Sequence, residues 1–146
     1  MTADLNEQIV KVILPNMIGY ERIAMASSAS FAKMFGFPPE RIEDMKTIVA
    51  EAAINAMQHG NKDRPDAEVT IFIKFKDDAI RIVVMDEGDG IKEILPKFNI
   101  DRIMNNLEPP IGFGVFLIQQ LADEVAFNMD TDKGHCMEMV IKKMEK

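Results

Sequence analysis

Residues 51–60 place three polar side chains along one face of a helix whose other positions have apolar spacing. Glu51, Asn55 and His59 are four residues apart, so at about 3.6 residues per turn they follow a single stripe. The apolar positions of the same helix predict a buried face: Met45, Ile48, Val49, Ala52, Ala53 and Ala56. A polar stripe beside a buried one indicates that this helix forms the wall of a site.

Length, charge and cysteine content limit the class of protein. With 146 residues and no internal break in composition, the chain is expected to form one domain, residues 1–146. A formal net charge of −7 argues against direct nucleic-acid binding, which needs a basic face. Cys136 is the single cysteine, which favours a reducing compartment. No leader pattern or bilayer-length apolar run is present, so we expect a cytoplasmic protein without membrane contact.

Apolar periodicity predicts the order strand, two helices, two strands, an irregular segment, one helix and two strands. The predicted strands are 8–14, 67–76, 79–85, 124–129 and 136–142, and the predicted helices are 16–35, 38–60 and 115–122, the first capped by Asn16. Residues 86–114 are long for a connection, which predicts a functional loop or lid with a short helix at 99–107. Hairpin-linked strands with helices on one sheet face predict an α+β fold, a mainly antiparallel two-layer α/β sandwich.

Asp86 follows the predicted strand 79–85, and Gly88 and Gly90 come shortly after it. A carboxylate at a strand end followed by glycines suits a ligand edge, because glycine lets the backbone approach a ligand closely. As an acceptor, Asp86 could bind an amino group such as the exocyclic amine of adenine. An ordinary turn rich in Asp and Gly would give the same pattern.

The last predicted helix is opened by Gly112, Phe113, Gly114 and Val115. Glycines let backbone N–H groups converge, and a helix N-terminus carries partial positive charge, so the segment could hold phosphates without basic side chains. It does not follow a strand, so it is not a Rossmann fingerprint, and the chain contains no P-loop motif.

Taken together, the three segments resemble the N, G1 and G2 boxes of the GHKL ATPase superfamily, which includes gyrase and histidine kinases. Within it, Glu51-Ala52, Asn55-Ala56, His59-Gly60 and the segment after Gly112 most resemble the bacterial anti-sigma-factor serine kinases. The resemblance covers nearly the whole chain. It implies the GHKL (Bergerat) form of the two-layer sandwich, with ATP and Mg²⁺ as cofactors.

The resemblance also implies a role for each matched residue. Glu51 would be the general base on a serine hydroxyl or water, and Asn55 would offer its carbonyl oxygen to Mg²⁺. His59 would orient the phosphates or the lid; a capping or packing role is the alternative. Residues implied to bind the base and phosphates are Asp86, Gly88, Gly90, Gly112, Phe113, Gly114 and Val115.

Two positions depart from the kinase pattern. The family usually has Thr after the glycine of the last hairpin, whereas His135 follows Gly134 here. The family often has a basic residue before the last glycines, whereas this chain has residues 108–111, Glu-Pro-Pro-Ile. Lys97 or Arg102 could reach the γ-phosphate instead.

The implied function is that of a homodimeric anti-sigma factor, which phosphorylates a serine of an anti-sigma-factor antagonist and sequesters a sigma factor. A non-catalytic ATP-binding GHKL module that regulates a partner is the alternative. A histidine kinase would need a phosphoacceptor histidine on a helical hairpin, and only His59 and His135 are present. The resemblance implies a sigma-binding surface formed on the dimer. The apolar residues of the first helix that could mark it are interpreted as core: Met17, Ile18 and Met25.

Overall fold

Five β-strands and three α-helices form the part of the chain that the computed structural model describes, residues 8–87, 113–131 and 134–144. In chain order they are β1 (Gln8–Pro15), α1 (Glu21–Met34), α2 (Pro39–Asn55), β2 (Glu68–Lys76), β3 (Ala79–Met85), α3 (Phe113–Leu121), β4 (Glu124–Thr131) and β5 (Gly134–Lys142). A π-helical turn, Ala56–Gly60, continues α2. Within these ranges, no helix is long and apolar enough to cross a membrane.

The strands form one antiparallel sheet in the order β1-β2-β3-β5-β4. The β2–β3 hairpin turns at Asp77 and Asp78, which both have positive φ angles of 54° and 59°. Two consecutive left-handed residues match the right-handed twist of paired strands, so this turn fixes the hairpin register. The predicted α+β sandwich is confirmed, and β2 and β3 begin and end within one residue of their predicted bounds.

The core lies between the sheet and the three helices. Val69, Ile71 and Ile73 point inward from β2 and are fully buried. Every residue predicted for the apolar face of α2 is buried: Met45, Ile48, Val49, Ala52, Ala53 and Ala56. α2 packs against both α1 and α3, and Glu51 of α2 meets the start of α3. The π-helical turn that follows α2 meets Asp86 after β3.

The start of α1 differs from the prediction. The helix begins at Glu21, and Asn16 does not cap it but is buried, with its amide donating to the carbonyls of Met57 and Arg64. These two carbonyl groups need hydrogen-bond donors inside the protein, and supplying them outweighs the local preference of Asn16 for a helix cap. The core assignment of Met17 and Ile18 was wrong, since they precede the helix and are 59% and 51% exposed.

The end of the second helix also differs from the prediction. Regular α-helix stops at Asn55, and the next five residues form the π-helical turn. The Asn61 N–H closes this turn on the Ala56 carbonyl oxygen at 2.7 Å. Isolated π-turns within helices are often found at functional sites. Here the turn carries Gly60, which meets Asp86.

Candidate functional site

A cavity opens where the end of α2 faces the paired ends of β3 and β5. The described residues that line it are Ala52, Asn55, Ala56, Gly60, Val84, Asp86, Phe127, His135, Cys136 and Met137. Its wall is thus mainly apolar, with a carboxylate, a carboxamide and an imidazole among the polar groups. Such a mixture of apolar wall and few polar groups is typical of a small-molecule site.

Asp86 is the buried charge of this cavity, with 8% of its surface exposed. It leaves β3 opposite the start of β5, and its N–H donates to the His135 carbonyl at 3.0 Å. The His135 N–H donates back to Asp86 Oδ1 at 3.1 Å, and His135 Nδ1 lies 3.3 Å from Oδ2. Since an ionised carboxylate only accepts, the Nδ1 contact is a hydrogen bond in the tautomer that carries the proton on Nδ1. His135, the residue after Gly134, thus contacts both oxygens of the Asp86 carboxylate.

Two glycines allow Asp86 to sit so deeply. A Cβ on residue 60 would overlap the Asp86 carboxyl group, and one on residue 134 would overlap the Asp86 carbonyl oxygen. Gly134 also has a φ of 135°, a left-handed conformation that favours glycine. Any side chain at either position would displace the carboxylate.

Glu51 lies outside the cavity lining and against the first turn of α3. A Cβ on Gly114 would lie 2.6 Å from Glu51 Oε1, so only glycine permits this approach. The carboxylate is thereby held near the positive end of the α3 dipole, where negative charge is stabilised. Asn55, one turn along α2, lines the cavity, so the two polar groups stand between the Asp86 pocket and the α3 N-terminus.

The predicted polar stripe extends from Glu51 to Asn55 in regular helix, but His59 lies within the π-helical turn and is not among the cavity-lining residues. A π-turn lengthens the repeat by a residue, which rotates later side chains away from the α-helical stripe. Burial lowers the pKa of His59, and the nearby Asp63 carboxylate partly opposes this. The neutral ring is therefore favoured, which lets His59 act as an acceptor but weakens it as a phosphate-binding cation.

Cys136 forms part of the cavity wall and is half-buried. Burial raises the pKa of its thiol, and the carboxylates of Glu138 and Asp86 raise it further. The thiol is therefore neutral near pH 7 and acts as a small apolar group in the wall.

Several predicted residues lie outside the described residues: Gly88, Gly90, Lys97, Arg102, Gly112, residues 108–111 and the short helix 99–107. The backbone of Phe113 begins α3, one residue before Gly114, and Val115 is buried in the first turn. Of the predicted site residues, the structure thus brings Asp86 and Asn55 to one cavity and Glu51 to the adjoining helix terminus.

The sequence did not predict five residues of the cavity wall. Ala52 and Ala56 were predicted only as core residues, and Val84, Phe127 and Met137 were not singled out. The last three come from three different strands, and no local pattern shows which strand positions become neighbours. The register that pairs Val84 with Met137 across β3 and β5 appears only in the folded sheet. For His135 and Cys136, the sequence does offer a signal of a role in the cavity wall, because the residues after Gly134 depart from the family pattern.

The cavity thus lies between the polar face of a helix and the end of an antiparallel sheet. The family model described as histidine kinase-like ATPase domain matches residues 15–141 of the chain. The chain belongs to this family of histidine kinase-like ATPase domains. The predicted resemblance to GHKL ATPases and, within them, to anti-sigma-factor serine kinases is confirmed.

Relatives share most of their length with this chain. A serine-protein kinase RsbW of Oceanobacillus iheyensis is 30% identical over 134 residues, covering 84% of this chain and 80% of that protein. A serine-protein kinase RsbW of Bacillus subtilis is 28% identical and covers 82% and 78%, respectively. An anti-sigma F factor of Clostridium beijerinckii is 31% identical and covers 84% and 85%.

A solved structure shares the fold. The crystal structure of the RsbU and RsbW domains of Rv1364c from Mycobacterium tuberculosis superimposes with a TM-score of 0.62 at 16% sequence identity. The match covers 92% of this chain and 32% of that longer chain. The likeness supports the architecture of the sandwich.

Proposed function

We propose that this protein is an anti-sigma factor with serine protein kinase activity. It uses Mg-ATP to phosphorylate a serine of an anti-sigma-factor antagonist, and it sequesters a sigma factor. The observation that carries the proposal is the buried Asp86 carboxylate in a mainly apolar cavity that adjoins Asn55, Glu51 and the α3 N-terminus. The names of the RsbW and anti-sigma F relatives support the same function.

The cavity chemistry suits an adenine base. Asp86 is an acceptor, so it pairs with the exocyclic amino group of adenine and opposes a base with a carbonyl oxygen at that position. Ala52, Val84 and Met137 offer apolar surface to the flat ring. With the base in this pocket, the phosphates extend toward Gly114 and the N–H groups that open α3, and Gly112 is proposed to bind them as well on the resemblance alone. Phe113 and Val115 belong to the same turn, and Gly88 and Gly90 follow Asp86.

Asn55 fits a role as Mg²⁺ ligand. Mg²⁺ prefers oxygen donors, retains waters and takes further ligands from nucleotide phosphates. Among the described residues there is no group of three or more His, Cys, Asp or Glu that could hold a metal ion. When bound, Mg²⁺ supplies charge neutralisation on the phosphates.

Glu51 is the proposed general base. Its carboxylate beside Gly114 accepts the proton of the substrate serine hydroxyl as that oxygen attacks the γ-phosphorus, and the bond to the β–γ bridging oxygen breaks. The α3 N-terminus stabilises negative charge on the phosphates through its backbone N–H groups. His59 is proposed to act from the edge of the site on the phosphates or the lid.

The kinase is tested by replacing Glu51. Glu51→Gln preserves size and removes the base, so phosphate transfer from labelled ATP to a serine of the antagonist from the same genome should fall about 100-fold or more. Mg-ATP affinity should remain near that of the wild type, whereas Asn55→Ala should weaken Mg²⁺-dependent binding. Unchanged transfer by Glu51→Gln would contradict the assignment of the base.

The family resemblance also supports proposals about the domain, location and partners of the protein. We infer a single domain over residues 1–146, a cytoplasmic location, a role in transcription regulation through the sigma factor, and no direct contact with nucleic acid or membrane. A homodimer is proposed because exposed apolar side chains cluster on β1 and on the segment that enters α1, including Ile13, Met17 and Ile18.

A non-catalytic ATP-binding module is the second candidate function. It is favoured by His135, which engages both oxygens of the Asp86 carboxylate where the family usually has Thr. Saturable ATP binding without phosphate transfer by the wild type to any cognate antagonist would support this candidate over the kinase.

A further inference from the structure

A buried asparagine pair connects the π-helical turn to the segment that carries Asp86. Asn61 is fully buried, and Asn16 is buried beside it. The Asn61 amide donates to Asn16 Oδ1 at 3.1 Å and to the Glu68 carbonyl at 2.9 Å. Its own Oδ1 accepts the Glu87 N–H at 2.7 Å. Every polar atom of the Asn61 side chain is therefore used inside the protein.

The partners of Asn61 also fix which way its amide points. The Glu87 N–H can only donate, so it requires the oxygen of Asn61, and the Glu68 carbonyl can only accept, so it requires the nitrogen. Asn16 is fixed in the same way, because its nitrogen meets the carbonyls of Met57 and Arg64. A flipped amide would set donor against donor or acceptor against acceptor in a buried place, which is costly.

Glu87 is held at three points, of which the bond to Asn61 is the least exposed. Its side-chain Oε2 accepts the Glu68 N–H at 2.8 Å, and its carbonyl lies 3.4 Å from the guanidinium of Arg64. Since Asp86 directly precedes Glu87, these bonds fix the peptide on the C-terminal side of the cavity carboxylate. On the other side of the cavity, the Asn61 N–H closes the turn that presents Gly60 to Asp86.

We propose that Asn61 is a positioning residue for nucleotide binding. It holds the Asp86–Glu87 peptide from its side chain and the Gly60 turn from its backbone, so the carboxylate is set in the cavity before the nucleotide arrives. This inference rests on the proposed ATP-binding function. Without the bond to Glu87, Asp86 spends only a fraction of its time in the competent position, and the apparent dissociation constant rises as the inverse of that fraction.

The test compares Asn61→Ala with Asn16→Ala in the full chain. Both variants remove buried amide hydrogen bonds and should lower the melting temperature, but only Asn61→Ala removes the acceptor of the Glu87 N–H. Calorimetric titration with Mg-ATP, well below both melting temperatures, should show a dissociation constant raised about tenfold by Asn61→Ala. Asn16→Ala should bind within about twofold of the wild type, because the bonds of Asn61 to Glu68 and Glu87 remain.

A third variant separates positioning from stability. Asn61→Asp keeps an oxygen for the Glu87 N–H but turns a second oxygen toward Asn16 Oδ1 and the Glu68 carbonyl. Asn61→Asp should therefore have a lower melting temperature than Asn61→Ala and yet bind Mg-ATP more tightly. If affinity instead follows melting temperature across the three variants, the residue is merely structural and the inference fails. Wild-type protein that binds no Mg-ATP would overturn the proposed function itself, and the inference with it.

Discussion

At the scale of single residues, the surroundings of Asp86 explain why a charged group can be buried in this cavity. Both carboxylate oxygens have donors on His135, and glycine at positions 60 and 134 leaves room for the group. A buried carboxylate without such partners would cost several kcal/mol, so its burial indicates an environment built around it.

Replacing Gly60 with alanine should damage the site without unfolding the protein. The new methyl group would overlap the Asp86 carboxyl group and push it from the cavity, so Mg-ATP affinity should fall about tenfold or more. Gly19→Ala is the control, because a Cβ at residue 19 meets no heavy atom within 4 Å and the φ of 114° strains only the local backbone. This control should lose stability and retain affinity in the same calorimetric titration; an equal loss of affinity would contradict the packing argument.

Sequence patterns single out the acidic and amide residues of the candidate site more readily than the shape of its cavity. Glu51, Asn55 and Asp86 were singled out because polar residues stand out against apolar periodicity. Val84 and Met137 were not, since an apolar strand residue looks the same whether it meets the core or a ligand. Gly60 could be tied to Asp86 only after the fold had brought the two together.

At the scale of secondary-structure elements, the predicted second helix has two parts, a regular α-helix and a π-helical turn, which position different residues of the candidate site. Regular helix up to Asn55 orders the polar stripe, and the turn beyond it carries Gly60 to the cavity and His59 away from it. The sequence offers no reason for the change of repeat at Ala56. Its cause is tertiary, because the following Asn61 is held by Asn16 directly after β1, by Glu68 of β2 and by Glu87 after β3.

A buried ion pair joins the start of α2 to the final hairpin. Arg41 is 3% exposed and lies 2.6 Å from Asp123, whose Oδ2 also accepts the Lys142 N–H. Asp123→Ala should destabilise the protein by about 3 kcal/mol, because it leaves the Arg41 charge with a poorer set of partners. Urea denaturation followed by circular dichroism measures the loss.

An exposed ion pair in the same sheet gives the control for this prediction. Glu138 lies 3.2 Å from Arg81, and both side chains are well exposed. Removing this pair by Glu138→Ala should cost less than about 1 kcal/mol. Similar losses for the buried and exposed pairs would contradict the assignment of Arg41 as the link between the two elements.

At the scale of the whole molecule, the order of elements was predictable while the sheet topology was not. Alternation in β2 and helical spacing in α2 identify the elements and their buried faces, and tight turns such as Asp77–Asp78 show which strands are hairpin neighbours. Nothing local shows that β5 pairs with β3, leaving β4 at the sheet edge. That pairing is long-range, and it is the one that creates the cavity.

The exposed apolar surface around β1 should be buried in a homodimer. β1 is an edge strand of the described sheet, and its Ile13 side chain is 50% exposed next to the exposed segment at Met17 and Ile18. A charge placed there would have to be desolvated on association, so Ile13→Lys should weaken dimerisation about tenfold or more, as measured by sedimentation equilibrium. Met34→Lys, at an exposed position near the opposite end of α1, should leave it unchanged. A monomeric wild type would contradict the dimer.

The central claim is that the Asp86 cavity binds ATP, and titration calorimetry with Mg-ATP tests it most directly. The wild type should bind saturably at one site per chain. Asp86→Asn, shown by thermal unfolding to be folded, should bind about tenfold or more weakly, because the charge-assisted hydrogen bond to the adenine amino group is lost. No binding by the wild type at millimolar ATP, or equal binding by Asp86→Asn, would contradict the account.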